Sequence, residues 1–354
     1  WRGDVEGKAD LVEEIVRILG LDRVPPTPFE RGASGLRPVL TALQRRTRAA
    51  KRALAASGLV EAVTWSFISK KQAELFGGGQ PELVLANPIA ADLSDMRPSL
   101  LPGLALAAQR NADRGYPDIA LFEVGQIFAG DRPQDQLVAA TALRRGATKV
   151  SGAGRHWSGS AGAVDVFDAK ADALAALAAC GMAIDKLQIV AGGPQYLHPG
   201  RSGTIQLGPK LVLAVFGELH PATLEALGVE GPLAVSEVIL DRIPAAKAKA
   251  SKAKPALVLP PFQPVLRDFA FLVDRSVAAA EIIHAAKGAD KNLVTSVDVF
   301  DLYEGKEIEA GKKSIALAVT LQPREKTLTD AEIDAVAGKI VDEVRKRTGA
   351  TLRA

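Results

Sequence analysis

The chain has 354 residues, of which 47% are hydrophobic and 24% are charged, and this composition excludes a disordered or fibrous protein. Its 44 basic and 41 acidic residues leave a net charge of +3, so charge alone does not indicate a nucleic-acid-binding protein. The single cysteine, Cys180, excludes an internal disulfide and a cysteine-based zinc site, and it favours a reducing compartment.

The length and the start of the chain set further expectations. At ~150 residues per domain, the length predicts two or three domains. The longest apolar stretch, residues 173–184, is too short and too rich in alanine to span a bilayer, so we expect no membrane association. The chain opens on Trp1 rather than Met and enters a helical pattern almost at once, which predicts a piece of a longer protein.

The first predicted element is a helix that ends before residue 24. Leu11, Ile15, Ile18 and Leu19 recur at helical spacing, and Gly20 supplies a stop. The Pro-Pro dipeptide at 25–26 then forces an extended exit, because proline fixes its own backbone and restricts the residue before it.

Four carboxylates mark the start of this helix: Asp4, Asp10, Glu13 and Glu14. On a helix, Asp10 shares one side with Glu13 and Glu14, and Asp4 lies just upstream, where it could fold back toward them. Such hard oxygen ligands suit Mg²⁺. The alternative is an acidic first turn that the helix dipole favours, and the spacing leaves both interpretations open.

The second zone, about residues 27–240, mixes helical and strand-like segments. Helices are predicted over 39–59 and 169–180, and strands over 61–68, 119–128, 203–207 and 211–216. This mixed order with long connections predicts an α+β domain built on an antiparallel sheet. The first of these helices has basic residues that fit either a solvated face or an RNA-phosphate contact: Arg45, Arg46, Arg48, Lys51 and Arg52.

The segment 87–104 combines polar groups, prolines and a helix start. Its Arg97 suits a bidentate contact with a carboxylate or phosphate, and a structural arginine that ties the loop to the sheet is equally open. Further along, residues 242–254 contain no acidic residue and are rich in alanine, which predicts an exposed linker. The basic residues of this linker are Arg242, Lys247, Lys249, Lys252 and Lys254.

The fourth zone, residues 255–354, has the clearest pattern. Alternating apolar residues predict strands around 269–273, 297–299 and 315–321, and helical spacing predicts helices over 277–287, closed by Gly288, and from about 330 to Gly349. Thr329 and Glu332 form a capping box at the start of the second helix, and residues 350–353 return as a short edge strand. The resulting order, β-α-β-β-α-β, is a ferredoxin-like unit.

Basic residues in or beside these strands are candidate RNA contacts: Arg267, Lys306, Lys312, Lys313 and Arg324. Phe300 and Tyr303 are nearby aromatics, whereas alternation places Phe269 and Phe271 together on one face, which favours core packing over base stacking. Acidic residues interrupt the zone, so the electrostatic evidence for RNA is weak by itself: Asp268, Asp298, Asp301, Glu304 and Glu307.

Signatures of catalysis are absent from the sequence. It has no phosphate-binding loop, no dinucleotide fingerprint, no H-E-x-x-H motif and no G-x-S-x-G elbow. We therefore predict no catalytic residue in this chain. A freestanding small-molecule enzyme that uses the 87–104 loop and Glu123 is the alternative, but no nucleophile, base and orienting residue accompany them.

Seven segments in order resemble the C-terminal half of the bacterial phenylalanyl-tRNA synthetase β subunit, and the resemblance covers essentially the whole chain. The segments begin with W-R-G-D-V at Trp1, N-P-I at Asn87 leading into M-R-P-S-L-L-P-G-L, L-F-E-V-G-Q-I-F at Leu121, Y-L-H-P-G-R-S-G at Tyr196, F-G-E-L-H-P at Phe216 and R-D-F-A-F-L-V-D at Arg267. The tail from G-K-K-S-I-A to G-A-T-L-R completes the pattern.

The resemblance implies a domain organisation. Residues 1–24 resemble the C-terminal remnant of a B5 domain. Residues 25–241 resemble a catalytic-like module, which has a class II synthetase fold without active-site function. Residues 242–258 are then a linker, and residues 259–354 resemble a ferredoxin-fold anticodon-binding domain. The chain as a whole is expected to be α+β.

The resemblance also implies function. In this family the acidic residues that match Asp4, Asp10, Glu13 and Glu14 are assigned to Mg²⁺ shared with the α subunit. The complex, with two α and two β subunits, attaches phenylalanine to tRNA(Phe) at the expense of ATP, and the α subunit performs the chemistry. This chain is expected to be inactive alone, to pack on α, to bind the anticodon stem-loop and to be cytoplasmic. A stand-alone RNA-binding module is the alternative.

Overall fold

In a computed structural model of the chain, residues 2–29, 38–147, 162–245, 256–257 and 259–353 are described. The chain divides into two compact units, Trp1–Ala248 and Lys249–Ala354. The finer division into 1–24, 25–241, 242–258 and 259–354 stays a prediction. The linker lysines Lys247, Lys249, Lys252 and Lys254 lie outside the described residues. No helix in the described ranges is long and apolar enough to cross a membrane.

The first helix of unit 1, α1 (Lys8–Leu19), confirms the helix predicted from spacing. Gly20 ends it with a φ of 97°, a backbone conformation that glycine adopts without a steric penalty. None of the helix residues is buried. Leu11, Ile15 and Ile18 are each more than half exposed, so their apolar face has no partner among the described residues.

The remaining elements of unit 1 follow α1 in chain order. They are α2 (Ala42–Ala56), β1 (Val60–Glu61), β2 (Phe67–Ile68), α3 (Lys70–Leu75), β3 (Asp95–Met96), α4 (Leu101–Ala112), β4 (Ile119–Phe128), β5 (Gln136–Arg145), α5 (Val166–Ala179), β6 (Gln188–Ala191), β7 (Leu197–Leu207), β8 (Leu211–Leu219), α6 (Pro221–Leu227) and β9 (Leu233–Ile239).

Seven of these strands form one sheet in the order β1-β4-β5-β9-β8-β7-β6. The pairing of β1 with β4 is parallel and every other pairing in this sheet is antiparallel. Neighbouring residues of β4 face opposite sides: Phe122 joins a core with α2 and α5, and Leu121 joins a core with α4. The predicted α+β domain on an antiparallel sheet is therefore confirmed.

The strand predicted over 61–68 is wrong as one element. Val60–Glu61 joins the large sheet, whereas Phe67–Ile68 pairs with Asp95–Met96 in a separate two-stranded sheet. The predicted strand is interrupted because its first residues pair with β4 and its last residues pair with β3. Sequence alternation also missed β5, β6 and β9; all seven residues of β9 are buried, so it shows no alternation of exposed and buried positions.

Unit 2 contains β10 (Val265–Asp274), α7 (Ala279–Ala289), β11 (Val294–Tyr303), β12 (Lys312–Leu321), α8 (Asp330–Thr348) and β13 (Thr351–Leu352). The strand order β11-β12-β10-β13 is antiparallel throughout, which confirms the predicted ferredoxin-like unit. Both capping-box bonds of Thr329 and Glu332 are present. α7 ends at Ala289, one residue past the predicted stop at Gly288, and the next residue, Asp290, has an extended backbone.

The core of unit 2 lies between its two helices and one face of its sheet. Phe269, Phe271 and Val273 on β10 face Ile340 and Val344 of α8 in this core. Phe269 and Phe271 are at most 8% exposed, so the prediction that they pack in the core rather than stack on bases is confirmed.

Candidate functional site

The four carboxylates near α1 lie close in sequence, but their side chains point to different partners. The Asp10 carboxylate accepts hydrogen bonds from the backbone N–H groups of Glu6 (3.0 Å) and Gly7 (2.7 Å) at the helix start. The Arg2 guanidinium lies 2.6 Å from the Asp4 carboxylate and 2.8 Å from that of Glu14. Arg2 thus links the carboxylate before the helix to one on its second turn.

These contacts lower three pKa values. The Arg2 guanidinium lowers the pKa of Asp4, and the Gly7 and Glu6 backbone amides lower the pKa of Asp10. For Glu14 the pKa is lowered first by Arg17 and then by Arg2. Each of the three carboxylates is therefore stabilised in its ionised form by a bond to the chain itself.

The arrangement bears directly on Mg²⁺ binding. Within residues 2–29 and the other described ranges, no three His, Cys, Asp or Glu side chains converge closely enough to hold a metal ion. Asp10 serves the helix start, and Asp4 and Glu14 are neutralised by Arg2. As placed in this chain by itself, the four residues do not fit a bound Mg²⁺, and the assignment of Asp4, Asp10, Glu13 and Glu14 stays a prediction.

The basic residues predicted to contact RNA divide between two ends of the unit 2 sheet. Arg267 pairs in register with Val319 near the start of β10, and Arg324 follows the end of β12 at the same side. Lys312 and Lys313 pair with Asp274 and Val273, which lie seven and six residues further along β10. At ~3.4 Å per residue the two groups are roughly 20 Å apart along the strand. The structure does not bring the five together.

One end of the sheet gathers three of them: Lys306, in the connection before β12, with Lys312 and Lys313, at its start. We call these three the basic end. Lys306 is exposed and makes no ion pair with a described residue, whereas Lys312 lies 2.7 Å from the Glu309 carboxylate. Because Lys306 and Lys313 have no such partner among the described residues, they are available to meet a phosphate.

Sequence reasoning missed two arginines at this same end. Arg353, just after β13, places its guanidinium 5.6 Å from the centre of the Tyr303 ring. Arg275, just after β10, pairs with the Glu304 carboxylate at 2.7 Å. The sequence did contain a signal that could have located Arg353. Residues 350–353 were predicted as an edge strand, and pairing of that strand with β10 places the residue that follows it at this end of the sheet.

The face of the unit 2 sheet away from the helices is acidic at its centre. Asp268 and Asp298 both pair in register with Ala318, and both are exposed. Since the neighbouring Phe269 and Leu317 face the core, the two carboxylates lie on the open face. Like charges repel, so this centre disfavours a phosphate backbone, and the strand ends are the more favourable contact.

In unit 1, the structure decides between the two roles left open for Arg97. The residue is 4% exposed, and its guanidinium bonds the Glu123 carboxylate (2.8 Å), the Gln126 carbonyl (2.9 Å) and the Thr64 hydroxyl (3.0 Å). Arg97 is a structural arginine that ties the loop to β4. Glu123 is 3% exposed, and its carboxylate accepts hydrogen bonds from Arg97 (2.8 Å) and from the Thr64 hydroxyl (2.7 Å).

The basic helix α2 is partly structural as well. Arg46 donates to the carbonyls of Leu240 (3.2 Å) and Pro244 (2.7 Å), and Lys51 lies 2.6 Å from the Glu61 carboxylate. Three other basic residues of the helix make no ion pair with a described residue: Arg45, Arg48 and Arg52. All three are exposed to solvent.

Comparisons with known proteins give a consistent result. The family model of the phenylalanyl tRNA synthetase beta chain CLM domain matches residues 32–240, and that of the ferredoxin-fold anticodon binding domain matches residues 260–353. The phenylalanine–tRNA ligase beta subunits of Bradyrhizobium diazoefficiens and Rhodopseudomonas palustris are 68% and 67% identical over 354 residues, covering 100% of this chain and 44% of each relative. The chain therefore spans less than half the length of these relatives.

The pyrrolysyl tRNA synthetase of Desulfitobacterium hafniense is similar with a TM-score of 0.42 and 20% sequence identity, over 66% of this chain and 74% of that chain.

Proposed function

This chain belongs to the phenylalanyl tRNA synthetase beta chain family, and on that premise we propose that it is a non-catalytic portion of the β subunit of a phenylalanine–tRNA ligase. Its role is to pack on the α subunit and to bind the anticodon stem-loop of tRNA(Phe), in support of ATP-dependent charging with phenylalanine. The observation that carries the proposal is the order of two family matches, residues 32–240 followed by 260–353, over the two folded units.

The finer parts of the proposal concern the assembled enzyme. The α subunit holds ATP and performs the chemistry, the complex contains two α and two β subunits, and it works in the cytoplasm. Mg²⁺ is shared between the α subunit and the carboxylates near α1. The burial of Arg97 and Glu123 supports an inactive module, since these two charged residues serve the fold.

The assembly role is tested by mixing the chain with the matching α subunit and with the remainder of a β subunit. We expect a complex on size-exclusion chromatography, charging of tRNA(Phe) by the complete mixture, and no charging by this chain alone. Absence of both the complex and the charging would overturn the proposal. RNA binding without any α complex would instead favour a stand-alone RNA-binding module.

The anticodon contact is tested by removing the charges of the basic end. Lys306→Ala, Lys312→Ala and Lys313→Ala together should weaken tRNA binding, and the slope of log affinity against log salt should fall by about 1 for each phosphate that the protein no longer touches. A charge-matched control removes three lysines outside the strands: Lys287, Lys291 and Lys346. Equal weakening in both variants would refute a specific contact.

The metal proposal has its own test, in the complex with the α subunit. Asp10→Asn and Glu13→Gln should each lower the Mg²⁺ content measured by mass spectrometry, with Glu6→Gln, an exposed neighbour, as the control. Because Arg2 holds Asp4 and Glu14 here, Arg2→Gln should raise Mg²⁺ affinity. Unchanged metal content in every variant would refute the metal proposal and would favour a role for these carboxylates only in stabilising the helix start.

A further inference from the structure

A cavity of about 300 Å³ lies in unit 1, and its lining residues are outside α1. Its walls are mostly apolar and include Phe76, Ile127, Phe128, Leu137 and Ile239. Four polar or charged side chains also line it: Gln80, Tyr196, Glu237 and Arg242. Small-molecule sites have this composition, with apolar walls and a few placed polar groups.

Glu237, on β9, lines this cavity, and only one of its two carboxylate oxygens accepts hydrogen bonds from described residues. Its Oε1 accepts three hydrogen bonds, from the Ser99 hydroxyl (2.8 Å), the Leu100 backbone N–H (3.1 Å) and the Thr141 hydroxyl (2.9 Å). Its Oε2 accepts none from any residue that the structure describes. The residue is only 5% exposed, so the fold fixes one oxygen firmly and leaves the other without a donor.

Two more polar groups of the cavity lack partners. The Gln80 side-chain oxygen is buried and receives no hydrogen bond from a described residue, while the amide nitrogen of the same side chain donates to the Gly77 carbonyl at 2.8 Å. The Tyr196 hydroxyl likewise bonds no residue in the described ranges. A buried acceptor without a donor is unfavourable, and a ligand that donates a hydrogen bond to the Gln80 oxygen would relieve it.

The charges around the cavity indicate the sign of such a ligand. Glu237 has no ion-pair partner among the described residues, since the nearby Arg97 is committed to Glu123. Arg242, which also lines the cavity, is exposed and donates to the Val212 carbonyl at 3.4 Å. The Glu237 Oε2, to which no described residue donates, and the buried Gln80 oxygen therefore suit a cation that has several N–H donors, which is the chemistry of a primary ammonium.

We propose that this cavity binds a small primary amine, with the ammonium on Glu237 Oε2 and Gln80 Oε1 and an apolar body against the aromatic and aliphatic wall. The site is a binding site only, and no reaction is assigned to it. It goes beyond the proposed function, which assigns no ligand to this module.

Proton linkage follows from the burial of Glu237. Desolvation raises the pKa of this carboxyl above its ordinary value, although its three hydrogen bonds and Arg97 oppose the shift. Burial and then the Glu237 charge also raise the pKa of Tyr196, so this phenol stays protonated as a donor. Because only the ionised carboxylate attracts an ammonium, amine binding should strengthen as pH rises through the Glu237 pKa. The charged side chains near this carboxyl are those of Arg97 and Arg242.

The test uses the full 354-residue chain and isothermal titration calorimetry with three probes. Phenethylamine supplies the ammonium, 2-phenylethanol replaces it with a hydroxyl, and phenylalanine adds a carboxylate. We expect phenethylamine to bind at least about tenfold more tightly than 2-phenylethanol, since a charge-assisted hydrogen bond exceeds a neutral one by this order. Tighter binding of phenylalanine that Arg242→Gln abolishes would support the same site with an amino acid as ligand.

Variants locate the binding. Glu237→Gln keeps an oxygen for Ser99, Leu100 and Thr141 and should abolish the preference for amine over alcohol. Gln80→Leu should reduce amine affinity severalfold without loss of fold, which keeps the test decisive if the first variant is unstable. The control is Glu225→Gln, a carboxylate on α6 that is exposed.

Three outcomes would overturn the proposal. They are equal affinity for phenethylamine and 2-phenylethanol, an amine preference that survives in both cavity variants, and no binding of any probe. The measurement needs neither tRNA nor the α subunit, so its failure is distinct from a failure of the proposed function.

Discussion

The buried ion pair between Arg97 and Glu123 offers the sharpest test of how unit 1 is held together. The two side chains are 5% and 4% exposed, and their charged atoms lie 2.8 Å apart. Arg97→Met removes the cation and also leaves the Gln126 carbonyl without its guanidinium donor. Removal of one partner of a buried pair costs about 3–5 kcal/mol, because the remaining charge stays buried without compensation.

The structure indicates which end of this range of destabilisation applies to Arg97→Met. Glu123 keeps two donors in the variant, since its Oε2 accepts from the Thr64 backbone N–H (3.2 Å) and hydroxyl (2.7 Å). We therefore expect a destabilisation near the lower end, about 3 kcal/mol. For a unit of this size each kcal/mol lowers the melting temperature by about 2–4 °C, which gives a decrease of roughly 6–12 °C in differential scanning calorimetry.

Two further variants separate the ion pair from general effects of charge. Arg97→Met combined with Glu123→Met should recover most of the stability, because an apolar pair leaves no uncompensated charge. Lys51→Met breaks an exposed pair with Glu61, 39% and 40% exposed, and should cost less than about 1 kcal/mol. A cost for Arg97→Met that is no larger than that for Lys51→Met would refute the structural role given to Arg97.

The remaining predictions concern both units. Ile340→Ala, at a fully buried position of α8, should cost about 2–5 kcal/mol in urea unfolding, whereas the exposed Arg345→Ala should change little. Lys326 and then Thr329 at the start of α8 lower the pKa of Glu332 from 4.5 to about 2. The ionised Glu332 therefore stabilises the fold above pH 4.5, and this stabilisation should be lost as pH falls toward 2. Hydrogen exchange should show the loss, and Glu332→Gln should remove it. Ultraviolet titration should find one tyrosine that ionises late, and Tyr196→Phe should eliminate it.

Local sequence signals determined the elements whose partners lie nearby in the chain. Helical spacing with Gly20 indicated α1, and the capping box of Thr329 and Glu332 placed the start of α8. The alternation of Ile315, Leu317 and Val319 identified β12, because one side of that strand is buried along its length. These signals act within a few residues, so they are readable before any tertiary contact is known.

Contacts between distant segments decided the rest. Arg97 lies 26 residues before Glu123 and 33 after Thr64, and no local pattern distinguishes a phosphate-binding arginine from one buried by such partners. The break inside 61–68 arises because its two halves pair with different strands. Strand register separated Arg267 from Lys313 and brought Arg353 to Tyr303. The cavity beside Glu237 was also not predictable from the sequence. Its lining residues come from distant segments, so it exists only once the sheet and the preceding loops have packed together.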